Sequence, residues 1–243
     1  MSRLPLHILQ HEPDDPPGTI AVALGELGVP FEVRRLDLGD PLPEWPGETA
    51  GVISLGGAMH VHQRHEYPFL DAEIRLLRRL VHDGGPAWGI CLGAQLLTLA
   101  AGGEVYRRRE PEAGWTWIEK VRDDPLLRGV PSPFVAFNWH EYSCKLPPHG
   151  QLVAARGRGV QAYRAGGRAW ATQFHPEVDE AMAPHWVEDM AREYAHRGDD
   201  FIAGLRADTE RFLPGYPAFC RTLVRNFVCT AGLLACDPPP ARG

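Results

Sequence analysis

The chain of 243 residues has no long run of lysine or arginine and a formal net charge of −6. Its densest basic cluster, Arg107-Arg108-Arg109, is followed at once by Glu110 and Glu112. A nucleic-acid partner therefore has no electrostatic footprint, and the three arginines read as a solvated surface. No apolar run approaches the length of a membrane span, and Leu4 to Leu9, interrupted by Pro5 and His7, is too short and polar for a secretory signal. The five cysteines (91, 144, 220, 229 and 236) are odd in number, irregularly spaced and without a Cys-x-x-Cys pair. Such usage points to a reducing compartment rather than a disulfide framework. A soluble, cytoplasmic protein with no membrane partner is the expectation. There is no internal repeat and no low-complexity domain, and the length is enough to bury roughly 70% of the unfolded surface.

What is there is organised around Trp88 to Ala101. The apolar run Ala87-Trp88-Gly89-Ile90 reads as a buried strand and the segment after Cys91 as a helix, which leaves Cys91 on the turn between them. A side chain on so sharp a strand-to-helix turn is pushed out of the sheet, and the crowded backbone is relieved by small neighbours, here Gly89 and Gly93. The helix that follows aims its unpaired N–H groups at the sulfur, where negative charge is then favoured. A buried structural cysteine is the alternative reading of this stretch by itself.

Strands are expected at Leu6–Leu9, Phe31–Leu36 and Gly51–Leu55, with one helix over Thr19–Leu27 and another from about Leu70 until Gly84-Gly85 stops it. In the second helix Leu70, Ile74, Leu77 and Leu80 share one face, and Glu73, Arg75, Arg78 and Arg79 the other. Strand and helix alternate at the spacing of right-handed βαβ crossovers, so the sheet is mostly parallel. Active groups in such sheets collect at the carboxyl ends of the strands, where both Gly56-Gly57 and Cys91 fall. The middle of the chain changes character: Trp115–Val121, Phe134–Phe137, Gln151–Ala155, Val160–Tyr163 and Arg168–Phe174 read as strands. Gly166-Gly167 is a tight hairpin joining the last two. Beyond Asp179 the pattern is helical, with Trp186, Met190 and Tyr194 on one apolar face and Phe219, Leu223 and Phe227 on another. The tail from Asp237 is Pro-rich and expected to fray.

A nucleophilic thiol needs a base, and the base needs a group that fixes its tautomer. The last strand delivers Phe174-His175-Pro176-Glu177. Residues two apart on a strand face the same way, so His175 and Glu177 can both face Cys91, and Pro176 ends the strand there. Backbone N–H groups of Gly57 and Leu92 are the candidates for stabilising an oxyanion. The loop Met59 to His65 is rich in histidine. Its His-x-His-x-x-His spacing invites a metal, but no Cys or Asp joins it, and a substrate-facing loop is the reading adopted.

Gly57, the Gly89–Gln95 elbow and Phe174-His175-Pro176-Glu177 together resemble the class I (triad) glutamine amidotransferase domain. The stand-alone branch similar to the glutaminase domain of GMP synthase is the nearest match, with Tyr67-Pro68-Phe69-Leu70 and Asn138-Trp139-His140-Glu141 adding to the likeness. The resemblance covers about residues 1–195 and implies a flavodoxin-like α/β fold. That domain is expected to carry extra antiparallel strands, with residues 196–243 expected as a helical extension packed on it. It further implies Cys91 as nucleophile, His175 as base, Glu177 as its partner, and Gln95 with Trp139 and His140 as substrate contacts. One departure is the sequence His140-Glu141-Tyr142 where the family often has Asp two places after the histidine, which puts recognition of the substrate's amino-acid end in question.

The function so implied is hydrolysis of the γ-amide of glutamine through a γ-glutamyl thioester, with no metal or cofactor. No ATP-handling motif is present, so a synthetase that used the released ammonia would have to be another chain, and whether the ammonia is used is a separate question. Ser2 stands where amidotransferases of the N-terminal-nucleophile type need Cys. A partner-independent γ-glutamyl-peptide or γ-glutamyl-amine hydrolase is the alternative within enzymes. A non-catalytic regulatory subunit of the same fold is the alternative of another class, against which the intact Cys/His/Glu set argues.

Overall fold

The computed structural model describes residues 4–235; Ser2, Cys236 and the Pro-rich tail lie outside the described residues. The first half alternates as anticipated: β1 (Leu6–Gln10), α1 (Gly18–Glu26), β2 (Phe31–Arg35), β3 (Gly51–Ser54), α2 (Phe69–Asp83), β4 (Ala87–Ile90) and α3 (Leu92–Ala100). The second half adds β5 (Val105–Lys120), β6 (Phe134–Cys144), β7 (Gln151–Arg156), β8 (Gly159–Ala165) and β9 (Ala169–Thr172). Three helices follow, α4 (Ala183–Glu193), α5 (Asp199–Phe212) and α6 (Tyr216–Thr230).

Among the described residues nine strands form one sheet in the order β2-β1-β3-β4-β9-β8-β7-β5-β6. The first five in that order pair in parallel, which is the flavodoxin-like arrangement, and the remaining four are joined antiparallel. β5 and β6 run further than their apolar stretches suggest. β5 takes in Arg107-Arg108-Arg109, and β6 continues through Asn138-Trp139-His140-Glu141. The register slips between Arg107 and Glu112, a bulge that lets the polar stretch stay paired.

Alternation along the parallel strands divides the apolar side chains between two cores. Leu6, Ile8, Ile53, Trp88 and Ile90 face the layer of α1, α4 and α6; Leu9, Val52 and Ala87 face α2 and α3. The C-terminal helices belong to the first core, where Trp186, Met190, Leu223 and Phe227 are buried. Cys91, Cys144 and Cys220 are free and buried. Cys229 is disulfide-bonded, which the irregular cysteine spacing does not lead one to expect.

The topology decides what can meet. β4 lies between β3 and β9 and all three run the same way, so the turn after β4 is flanked by the Gly56-Gly57 loop on one side and by His175 on the other. β1 is the next neighbour of β3, which adds the loop from His11 to Pro17 to the same edge.

Candidate active site

Cys91 caps the start of α3 with φ 48° and ψ −104°, a conformation that L-residues rarely hold. It is one of only two non-glycine residues with positive φ among those described. Its N–H is anchored to Thr172 O at 2.9 Å, so the turn is tied to β9. The flanking glycines are required for a packing reason. A Cβ on Gly89 would run into the backbone of Gly93, and a Cβ on Gly93 would strike Ser54 at its carbonyl and hydroxyl. Removing both side chains lets α3 start directly against β3, with Gly93 N–H donating to Leu55 O at 3.0 Å.

His175 faces the Cys91 sulfur on one side and is hydrogen-bonded to Glu177 on the other, Nδ1 to Oε1 at 2.6 Å. Since Nδ1 serves Glu177, Nε2 is the nitrogen left for the sulfur. Burial opposes charge on this ring, but the Cys91 sulfur and the Glu177 carboxylate outweigh it and hold the His175 pKa well above the usual histidine value. Glu177 is fully buried, and its carbonyl accepts from Thr19 N–H at the start of α1 at 2.9 Å. Trp186 stands edge-on to the imidazole, ring centres 4.9 Å apart.

Three supports come from residues that the sequence pattern does not mark. Glu73, expected on the exposed face of α2, is buried at 0% exposure. It takes a hydrogen bond from Ser54 Oγ at 2.5 Å and faces His11 Nε2 at 2.8 Å. His11 Nδ1 in turn donates to Gly56 O at 2.7 Å. Burial disfavours charge on His11, but Glu73 more than compensates and its pKa is raised, so both ring nitrogens can donate. The carbonyl of Gly56 and the N–H of Gly57 share one planar peptide and point in opposite directions. By holding the carbonyl, His11 therefore fixes the direction of that N–H.

The second support is Tyr216 of α6. Its hydroxyl donates to His175 O at 2.9 Å and accepts from Phe137 N–H at 3.1 Å. The third is Glu112, which reads in sequence as part of a charged surface. It is buried against His140 Nε2 (3.0 Å), Arg108 (3.0 Å) and Gln161 Nε2 (2.6 Å). Burial alone would raise its pKa, but His140 and Arg108 outweigh it and set it at about 2. Arg108 is thus no solvated bystander.

A cavity of about 430 Å³ opens over Cys91 and is lined by Gly57, Leu92, Gln95, Trp139, His140 and His175 among others. All the anticipated site residues except Glu177, which sits behind His175, reach its wall. Gln95 is held by a bond from its Nε2 to Tyr142 O at 3.3 Å. Trp139 presents its carbonyl to Cys91 Sγ at 3.8 Å and turns its indole N–H to Glu193. His140 lines the cavity with its ring engaged elsewhere, Nδ1 on Tyr142 O at 2.8 Å and Nε2 toward Glu112. From the histidine-rich loop, Met59 and His60 line the wall, and His60 and His62 pack on the Tyr142 ring. Among the described residues the group with metal-ligand spacing is Asp15, His175 and Glu177, whose ligand atoms lie within 4.8 Å of one another. His175 Nδ1 and Glu177 already bond each other, which favours a proton-handling set over a metal centre.

The strand order and the cysteine turn place the chain in the class of doubly wound α/β proteins with a nucleophile elbow. The chain belongs to the class-I glutamine amidotransferase family, whose model matches residues 18–193. A GMP synthase from Aeropyrum pernix is 36% identical over 194 residues, covering 76% of this chain and 36% of that protein. A gamma-glutamyl-L-1-hydroxyisopropylamide hydrolase from Pseudomonas is 28% identical over 171 residues, 65% of this chain and 57% of the hydrolase. The chain thus spans between about a third and three fifths of the length of these two relatives. The crystal structure of a glutamine amidotransferase from Thermotoga maritima superposes with a TM-score of 0.83 at 27% identity, over 94% of this chain and 99% of that one. No helix among the described residues is long and apolar enough to cross a membrane.

Proposed function

We propose that the protein hydrolyses a γ-glutamyl amide through a thioester on Cys91. The observation that carries this reading is Cys91 on its strained turn, facing a buried His175 whose far nitrogen is fixed by Glu177. The sulfur attacks the γ-carbonyl carbon, and the oxygen of the tetrahedral intermediate takes hydrogen bonds from the N–H groups of Gly57 and Leu92. As the C–N bond breaks, His175 passes its proton to the leaving nitrogen. Water then attacks the thioester, His175 accepts its proton, and glutamate leaves with Cys91 restored. Glu177 orients the ring and stabilises its charged form. Gln95 and the Trp139–His140 segment hold the glutamyl end.

Glutamine is the first substrate of this reading, supported by the family and by the GMP synthase relative, with the ammonia used by a synthetase on a separate chain. The relative that hydrolyses a substituted glutamyl amide favours a second reading, a hydrolase that needs no acceptor. The cytoplasm is the proposed compartment, on the need for a free Cys91 thiol. Residues beyond 195 are proposed as an extension that supports the site through Tyr216. The test is incubation of the purified chain with glutamine and with γ-glutamyl amides while free glutamate is followed. Turnover that vanishes in Cys91→Ser is expected. Turnover that survives this change would overturn the proposal.

A further inference from the structure

On the hydrolase reading above, the cavity also bears on what the amide nitrogen of the substrate carries. The leaving nitrogen takes its proton from His175. Whatever is attached to that nitrogen therefore lies on the His175 side of Cys91, away from the wall of Gln95 and Tyr142. The loop after β1 and the inner face of α4 build this side: Glu12, Asp14 and Asp15 from the loop, Trp186, Asp189 and Glu193 from the helix. Among the described residues no lysine or arginine lines the cavity. At its exposed margin Asp189 pairs with Arg192, and Glu141 with Arg107. Among the described residues neither lysine nor arginine is paired with Glu12, Asp14 or Asp15.

Asp15 is the informative member. It lines the cavity at 3% exposure and its Oδ1 has no hydrogen-bond partner. A buried acceptor left in this state carries a desolvation penalty that a donor placed in the cavity removes. Burial and the nearby Glu177 push its pKa up to about 8, and burial also raises that of Glu12. A cation beside such groups favours their ionised form, so an ammonium bound there displaces a proton from the carboxyls. The indole of Trp186 is bonded through its N–H to Asp14 O at 2.9 Å. An aromatic wall fixed beside carboxylates suits an organic ammonium, which is attracted to both.

We propose that this side of the cavity takes a cationic leaving amine: the substrate is a diamine or polyamine acylated by a γ-glutamyl group on one nitrogen, its free ammonium held against Asp14 and Asp15. The reaction balances as amide plus water giving glutamate and the free amine. The amide C–N bond breaks, its nitrogen receives the His175 proton, and the water oxygen ends on the glutamate carboxylate.

A matched series on the full chain tests this. Mono-γ-glutamyl-1,4-diaminobutane carries the second ammonium, γ-glutamyl-butylamide has nearly the same length without it, and γ-glutamyl-4-aminobutyrate carries a carboxylate instead. All share the glutamyl α-ammonium, so its recognition cancels from the comparison. Free glutamate is measured for each, and binding of each to Cys91→Ala is measured by calorimetry. The expected result is a kcat/KM for the diamine amide at least tenfold above the neutral amide, with the anionic one poorest. The same order should hold in binding, and the preference should shrink in Asp14→Asn and at high salt. Equal turnover of the charged and neutral amides, or preference for the anionic one, overturns the inference while the hydrolase reading stands. No glutamate from any amide or from glutamine overturns the hydrolase reading, and the inference falls with it.

Discussion

The cysteine turn and the support behind the Gly56-Gly57 loop sit on neighbouring strands, yet they are built in opposite ways. At the turn everything needed is contiguous: Gly89, Cys91 and Gly93 create the strain, the clearance and the helix start within five residues. Behind the loop, His11, Ser54 and Glu73 come from the loop after β1, from β3 and from α2, and the His11–Glu73 bond spans 62 positions. The turn stores strain in its backbone, whereas the support buries a charged pair whose cost is offset by hydrogen bonds on every side. A local device tolerates little variation in spacing, while a distributed one depends on the whole sheet being in register.

Substitutions separate the two. Cys91→Ala should reduce turnover to background, a loss on the order of 10⁴-fold or more, while leaving the thermal midpoint close to wild type. Residual activity in a pure sample would remove Cys91 from its role. His175→Ala should cost on the order of 10²–10⁴-fold in kcat. Glu177→Ala should cost less and Glu177→Gln least, because the amide keeps a hydrogen bond to Nδ1. If Glu177→Ala matched wild type, the set would reduce to a Cys–His pair.

On the distributed side, Glu73→Gln leaves His11 without its counter-charge. A fall in kcat is expected, bounded by the 10²–10³-fold cost of losing an oxyanion donor, with KM little changed. Breaking the buried pair should also lower stability by about 3–5 kcal/mol, read from denaturant unfolding. A rise in KM at unchanged kcat would mean that the pair shapes the substrate pocket instead. Tyr216→Phe is smaller: it removes the bonds to His175 O and Phe137 N, and a cost of about 1–3 kcal/mol in stability is expected for the groups left unpaired.

The smallest effect on turnover lies away from the nucleophile. Glu112 has its pKa depressed from 4.5 to about 2. Its stabilisation is therefore complete above the unfolded value and lost as the pH falls from 4.5 towards 2. Glu112→Gln should flatten acid unfolding in that window. An unchanged acid limb would show that His140 and Arg108 hold their places without it.

The contrast explains what could be read in the chain beforehand. The parallel order of the first strands, the elbow and the His175–Glu177 spacing were legible because each is a short pattern with one physical meaning. Glu73 was not, because a helical wheel puts a carboxylate on the polar face and gives no sign that His11 waits opposite it. Nor was Tyr216, whose apolar ring fits a helix stripe while its hydroxyl does work at a distant backbone. The length of β5 and β6 escaped for a related reason: their polar halves pair with each other across a bulge, and charged residues such as Arg108 and Glu112 mask the strand. The acidic character of the His175 side emerges only when the β1 loop and α4 meet over the cavity.

The central claim is a covalent γ-glutamyl intermediate on Cys91, and acid quenching followed by peptide mass mapping tests it most directly. During turnover of glutamine or a γ-glutamyl amide, the account predicts a γ-glutamyl adduct on the peptide containing Cys91. The adduct should accumulate when deacylation is slowed and should be absent from His175→Ala, whose base is missing for acylation. An adduct on Cys144 or Cys220, or turnover with no adduct on Cys91 under any quench, would contradict it.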